Sequence, residues 1–183
     1  MSEFVHYVKR PATRIHPRLG SLNIELTERC NNDCIHYCIN LPAGDQEART
    51  REMSTEQVKA ILSEAADLGC MQVRFTGGEP LMRSDFKELY SFARHLGLMV
   101  LIFTNARLIT SHLVDLLTSI PPLVKMEVTV YGMHKASYEA VSRAPGSYEQ
   151  FWRGVNLLLE HNNQRIVGIG SNACVQCPVS QAG

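Results

Sequence analysis

Residues 71–80 read MQVRFTGGEP, and this stretch decides the fold. Positions 71–75 alternate apolar and polar side chains as a β-strand does, and the two glycines that follow favour a tight turn. Asp85 and Glu88 then stand where they can cap a helix, and residues 98–103 form a continuous apolar run, typical of a strand buried on both faces. Strand, turn, helix and buried strand in this order predict a parallel βαβ unit.

Capping-box sequences predict where two further helices begin. Ser54 is followed three residues later by Gln57, and Ser147 by Gln150, so each serine is placed to accept a hydrogen bond from the first helical turn. The first of these helices carries an apolar stripe that ends at Gly69, a residue typical of helix C-termini.

Additional strands are predicted at 21–26, 124–130 and 166–169, each separated from the next by helical sequence. We therefore expect an α/β fold, an incomplete parallel (β/α) barrel with about four βα units plus a fifth strand, since a full barrel has eight units. In parallel sheets, chemistry gathers at the carboxyl ends of the strands, and every candidate motif in this chain follows such an end.

The composition predicts a single globular domain in the cytoplasm. Eighteen basic residues balance eighteen acidic ones, so no general field favours a nucleic-acid partner, and no apolar run is long enough to span a membrane. The start of the chain lacks the apolar run of a secretory signal. We expect an extended arm at 1–20, the partial barrel at 21–170 and a disordered tail at 171–183.

Three of the six cysteines, Cys30, Cys34 and Cys38, lie in the loop after the first predicted strand. In a reducing compartment this density favours metal or redox chemistry over disulfides. Three thiolates can hold three irons of a [4Fe–4S] cube and leave the fourth iron open to a cofactor. The residues alone are equally compatible with a structural zinc site that includes His36, or with cysteines along one helix face.

The loop resembles the Cys-x-x-x-Cys-x-x-Cys motif of the radical S-adenosylmethionine (SAM) superfamily, which follows the first strand of a partial barrel. Here three residues, not two, separate Cys34 from Cys38, and Tyr37 stands where the family has its third ligand. One extra residue displaces a donor by up to about 3.5 Å along the chain. The resemblance implies Cys30, Cys34 and Cys38 as cluster ligands, with Tyr37 beside the cofactor.

Three other strand ends carry residues that the resemblance assigns to SAM. The family places a Gly-Gly-Glu-Pro turn, here residues 77–80, where it receives the amino group of SAM. Absent Cβ atoms would let a ligand approach Gly77 and Gly78, and Glu79 could accept a hydrogen bond from an ammonium, although a plain tight turn ending at Pro80 is also compatible. Residues in the family that contact ribose and substrate fall at the positions of Thr104, Asn105 and Thr129.

The resemblance implies a radical SAM enzyme in which the reduced cluster cleaves SAM to a 5′-deoxyadenosyl radical that abstracts hydrogen from a substrate. Residues 131–149 resemble the branch that includes peptide-modifying maturases, which implies a peptide or protein substrate and an external electron donor. No side chain is singled out as catalytic. Two alternatives stay open, a non-catalytic zinc-binding or thiol-redox module and an inactive barrel fragment. Cys174 and Cys177 form a Cys-x-x-Cys that could bind a second metal.

Overall fold

The computed structural model describes residues 18–35, 41–160 and 167–170. Its main sheet has five strands, all parallel, in the order β1-β4-β5-β6-β7, and a separate pair joins β2 to β3. In chain order the elements are β1 (Ser21–Glu25), β2 (Arg29–Cys30), β3 (Leu41–Pro42), α1 (Gln46–Arg51), α2 (Thr55–Asp67), β4 (Gln72–Thr76), a 3₁₀ turn (Pro80–Met82), α3 (Phe86–His95), β5 (Met99–Thr104), α4 (Ser111–Ser119), β6 (Leu123–Thr129), α5 (Lys135–Ser142), α6 (Ser147–Glu160) and β7 (Val167–Gly170).

Several predictions concern residues outside the described ranges. Most of the expected arm and all of the expected tail lie there, so the proposed division of the chain stays a prediction. The same holds for the roles given to five residues: His36, Tyr37, Cys38, Cys174 and Cys177.

The strand–helix alternation predicted from the sequence is confirmed, as is the α/β class with its parallel sheet. The core lies between the sheet and its helices, because alternate strand residues such as Val73 and Phe75 point to the helical side and are fully buried. In the central strand β5, Val100, Leu101 and Ile102 are all buried, which agrees with its continuous apolar sequence.

One predicted capping box is confirmed. The Ser54 hydroxyl accepts from the Gln57 N–H, and the Gln57 side chain accepts from the Ser54 N–H. Beyond the end of α2, Gly69 adopts the left-handed φ of 82° that favours glycine, as the sequence predicted.

Two other predicted caps are wrong. Asp85 precedes α3 but makes no cap, because its carboxylate accepts from the Arg83 guanidinium at 2.8 and 2.6 Å. Ser147 is the first residue of α6, and its hydroxyl is bonded at 2.8 Å to that of Ser142. Gln150 accepts from a side chain on another element instead, as described below. In each case a side chain that precedes the helix takes the polar group that the cap would use.

The short pair β2–β3 and helix α1 were not predicted. Arg29 of β2 is held by Glu52, whose carboxylate lies 2.7 Å from the Arg29 Nε, and α1 is capped by Asp45. A two-residue strand has no readable period, so contacts distant in sequence decide it. Within the part of the chain that the structure describes, no helix is both long and apolar enough to cross a bilayer.

Candidate cofactor site at the carboxyl ends of the strands

A small cavity of about 60 Å³ lies at the carboxyl edge of the sheet. A ligand of nucleoside size needs about 300 Å³ or more, so this cavity can form only the inner wall of a cofactor site. It brings together residues from the cysteine loop and from the ends of β4, β5 and β6. They are Cys30, Thr76, Gly77, Gly78, Phe103, Thr104, Asn105, Thr129 and Tyr131. Six of these nine were predicted as ligands or cofactor contacts, and their roles stay predictions.

Cys30 is buried, 4% exposed, at the end of β2. Its sulfur accepts a hydrogen bond from the Asn32 N–H at 3.4 Å, and the Asn105 side-chain amide lies 3.8 Å away. Burial raises the pKa of the Cys30 thiol to about 12. Without metal the group is therefore a protonated thiol, and metal binding must displace that proton.

Cys34 is equally buried, at 5% exposure, and burial raises the pKa of its thiol as well. The backbone around it docks on the end of α5. The N–H groups of Asp33 and Ile35 donate to the carbonyls of Ser142 and Val141 at 2.9 and 3.0 Å. Carbonyls in the last turn of a helix lack partners within the helix, so this docking satisfies both elements.

The Gly-Gly turn runs directly beside the cysteine loop. The N–H of Gly78 donates to the Thr27 carbonyl at 2.8 Å, and that of Glu79 to the Arg29 carbonyl at 2.9 Å. A Cβ on Gly77 would lie 2.3 Å from the Thr27 oxygen, and one on Gly78 2.3 Å from the Arg29 oxygen. The sequence explained these glycines by the approach of a ligand, whereas in the structure the closest approach is made by the chain itself.

Glu79 differs from expectation in the same way. Its side chain is fully buried, and its two oxygens accept from the Thr104 hydroxyl at 2.8 Å, the Asn105 N–H at 2.8 Å and the Leu81 N–H at 3.1 Å. Burial raises the pKa of this carboxyl to about 7. The carboxylate thus has no surface to offer an ammonium group, and it links the end of β4 to the end of β5. Pro80, also buried, opens the 3₁₀ turn behind it.

The turn after β5 also contacts the cysteine loop. Asn105 donates to the Asn31 side chain at 2.7 Å. Arg107, which is 8% exposed, donates to the Asn32 side chain at 2.5 Å and to the Asn31 carbonyl. Sequence reasoning missed Arg107, because it is one of eighteen Lys and Arg residues in the chain and belongs to no periodic pattern or motif. Its place two residues after Asn105, at a strand end, was the available signal.

Among the residues that the structure describes, no group of three or more Cys, His, Asp or Glu side chains is arranged to hold a metal ion. The two described thiols nevertheless suit an iron–sulfur cluster, for which three thiolates suffice with one iron left open. Both are buried, and Cys30 has N–H groups directed at its sulfur, an arrangement that stabilises a thiolate. Cys38, the third predicted ligand, lies outside the described ranges.

The parallel sheet with alternating helices places the chain in the class of α/β partial barrels, and its buried cysteines lie at the strand ends. In fold the chain is similar to a solved structure described as native anSMEcpe with bound AdoMet, with a TM-score of 0.63, 18% identity, and coverage of 78% of this chain and 41% of that one. The sequence profile of the Radical SAM superfamily matches residues 24–172. The chain belongs to this superfamily, as its cysteine loop predicted.

Curated relatives are longer than this chain. It is 31% identical over 134 residues to the AdoMet-dependent heme synthase of Nitratidesulfovibrio vulgaris, a match that covers 73% of this chain and 35% of that protein. It is 40% identical over 87 residues to the PqqA peptide cyclase of Bradyrhizobium diazoefficiens, covering 48% of this chain and 22% of that protein. The superfamily uses a [4Fe–4S] cluster and SAM, which these names call AdoMet.

Proposed function

We propose that this chain is the SAM-cleaving domain of a radical SAM enzyme, with a [4Fe–4S] cluster held by Cys30, Cys34 and Cys38. The single observation that carries the proposal is that Cys30 and the Gly77-Gly78 turn line the same cavity at the strand ends. A cluster on the thiols would lie beside the turn that receives the amino group of SAM in the family. The match of the family profile over residues 24–172 supports the same assignment.

When bound and reduced by an external donor, the cluster supplies the electron that splits the sulfonium bond of SAM into methionine and a 5′-deoxyadenosyl radical. The chain's own residues prepare that site. Cys30 and Cys34 give up their protons to bind iron, and the surrounding core excludes water from their sulfurs. The N–H of Asn32 satisfies the Cys30 sulfur, and Glu79 fixes the Gly-Gly turn against the end of β5.

The remaining contacts with SAM follow from the cavity. Gly77 and Gly78 present backbone groups to the methionine part, while Thr104, Asn105 and Thr129 offer polar groups along the same wall. Tyr37 belongs to the same proposal, by its place in the cysteine loop. The Thr104 hydroxyl is already bonded to Glu79 and the Asn105 side chain to Asn31, so of the three Thr129 is the residue best placed to bind ribose.

We further propose a peptide or protein as the substrate that loses hydrogen to the radical. The support is the similarity to a PqqA peptide cyclase. That match has a higher sequence identity than the match to the heme synthase, although it covers fewer residues. The proposal concerns the whole enzyme, of which this chain matches only part.

The test is anaerobic reconstitution with iron and sulfide, followed by reduction in the presence of SAM. We expect about four irons per chain, a broad visible absorption, and release of 5′-deoxyadenosine measured by chromatography. A colourless protein that holds one zinc and ignores SAM would instead identify a zinc module and overturn the proposal.

A variant of the cysteine loop tests the unusual spacing between Cys34 and Cys38. Exchanging the two residues, Tyr37→Cys together with Cys38→Tyr, restores the family order. If the loop adapts to its natural spacing, iron content and SAM cleavage stay the same. A sharp rise in both would show that the natural order binds the cluster poorly.

A further inference from the structure

Arg107 is a buried cation that the proposed chemistry does not use. Its guanidinium donates to the Asn31 carbonyl and the Asn32 side chain in the cysteine loop, and its Nε donates to the Gln150 side chain of α6 at 2.8 Å. All three of these acceptors are neutral, so none of them cancels its charge. Burying a charged group is costly, and a position that retains one needs a reason.

The turn that carries Arg107 is itself held firmly by α6. The Arg153 side chain donates to the Arg107 carbonyl at 2.9 Å. Gly154 lets the helix approach so closely that a Cβ there would lie 2.1 Å from the Ala106 carbonyl oxygen. On its other side the turn is tied to Glu79 through the Asn105 N–H at 2.8 Å. Arg107 therefore reaches the cysteine loop from a platform with little freedom to move.

Two of the three acceptors of Arg107 lie between Cys30 and Cys34, the proposed ligands that the structure describes. Asn31, Asn32 and Asp33 separate Cys30 from Cys34, and the stretch contains no glycine. A planar guanidinium that binds a backbone oxygen and a neighbouring side chain fixes both position and orientation, which a flexible ammonium does less well. Ligand geometry that is set before the metal arrives strengthens metal binding.

We propose that Arg107 is a positioning residue that holds the cysteine loop in its ligand-binding conformation before any cluster is present. The inference rests on the proposed function, because it gives the loop a cluster to receive. It adds a residue from a different strand end to the site, one that acts through Asn31 and Asn32 rather than by contact with the cofactor.

The first test uses the metal-free full chain and an alkylating reagent, with each cysteine followed by mass spectrometry. Cys30 and Cys34 are 4% and 5% exposed, so they react only when the loop opens. In Arg107→Gln we expect their alkylation to quicken about ten- to hundredfold, because charge-assisted hydrogen bonds to the loop are lost. Arg107→Lys keeps the charge and part of the bonding, so it should give an intermediate rate.

Two controls separate a local effect from unfolding. Cys70 is 6% exposed at the opposite end of the sheet and should react at an unchanged rate. Arg94→Gln removes another guanidinium that donates to backbone carbonyls, those of Pro121 and Leu98, far from the loop, and should leave Cys30 and Cys34 unchanged. An equal rise at Cys70 in Arg107→Gln, or no change at Cys30 and Cys34, would overturn the proposal.

The reconstituted protein provides a second readout. Loss of a buried positive charge near the cluster should shift its reduction potential to a more negative value in Arg107→Gln, and less in Arg107→Lys. An unshifted potential together with unchanged alkylation would leave Arg107 with no role at this site. Failure of the unaltered chain to take up iron would instead remove the proposed function, while the alkylation result would still report on the loop.

Discussion

Cys30 lies beside the carboxyl ends of the main sheet's strands and Cys70 at their amino ends, and the two are almost equally buried, at 4% and 6% exposure. Their hydrogen bonds run in opposite directions. The Cys30 sulfur accepts from the Asn32 N–H, whereas the Cys70 thiol donates to the Gln72 carbonyl at 3.2 Å. A sulfur that accepts is stabilised when it loses its proton, while one that donates is not. Burial therefore does not distinguish the proposed ligand Cys30 from Cys70, whereas the direction of the hydrogen bond at the sulfur does.

The two ends differ more widely in what they bury. Buried polar side chains at the carboxyl end bond to one another across strands, as Glu79 does with Thr104. At the amino end, the buried Tyr90 donates to the Ile120 carbonyl, and the half-buried Arg94 donates to the carbonyls of Pro121 and Leu98. The bonds between side chains at the carboxyl end fix the loops around the candidate site, whereas the bonds to carbonyls at the amino end join helices to the sheet.

The largest expected effect separates the two cysteines. Cys30→Ala should abolish cluster binding, because two thiolates cannot hold the cube, whereas Cys70→Ala should bind as much iron as the unaltered chain. Iron and sulfide content after reconstitution provide the measurement. Equal iron in both variants would contradict the contrast between the two ends.

A substitution in the Gly-Gly turn should cost less but still act locally. Gly78→Ala places a methyl 2.3 Å from the Arg29 oxygen and must push the turn away from the cysteine loop. We expect the free energy of unfolding to fall by about 1–3 kcal/mol, with reduced iron loading. At the amino end, Gly20→Ala meets nothing within 4 Å and should change stability by less than about 0.5 kcal/mol. Chemical denaturation compares them, and similar losses would refute the close approach.

The buried carboxyl of Glu79 predicts a pH dependence of stability. Burial raises its folded-state pKa to about 7 from an ordinary value of 4.5. Between these values the folded chain binds the extra proton, so this stabilisation is complete below the lower value and is lost as pH rises through the upper one. The slope is at most about 1.4 kcal/mol per pH unit.

Glu79→Gln has no proton to lose, so its free energy of unfolding should fall less steeply between about pH 5 and pH 7. The exposed Glu64→Gln variant removes a carboxylate from the surface of α2 and should keep the slope of the unaltered chain. Denaturation curves across this range give the comparison, and an unchanged slope in Glu79→Gln would place the titration elsewhere.

The smallest effect should not distinguish the two ends at all. Arg143, after α5, and Leu123, at the start of β6, have positive φ values of 50° and 67°. Glycine adopts this conformation freely, so Arg143→Gly and Leu123→Gly should each stabilise the chain by about 0.5–1 kcal/mol. Thermal unfolding measures both. Destabilisation by Arg143→Gly alone would reveal that its exposed ion pair with Asp33, at 4.0 Å, matters to the loop.

Sequence reasoning located the five strands of the main sheet because repeated patterns report burial, while the resemblance to the family supplied the strand-end residues. It misassigned the caps at Asp85 and Ser147, since the side chains that bond to them, Arg83 and Ser142, belong to no capping pattern. It also could not find Arg107, whose importance lies in contacts with a loop more than seventy positions earlier. A motif identifies which residues are present at a site. Which of them can bind a ligand depends on the hydrogen bonds that their side chains already make to one another.

The backbone hydrogen bonds from Gly78 to Thr27 and from Glu79 to Arg29 have a consequence for protein engineering. Transplanting the cysteine segment alone into another barrel would therefore lose these backbone hydrogen bonds. The recipient protein must also have two glycines after the neighbouring strand, because side chains there would keep the cysteine segment from packing against it.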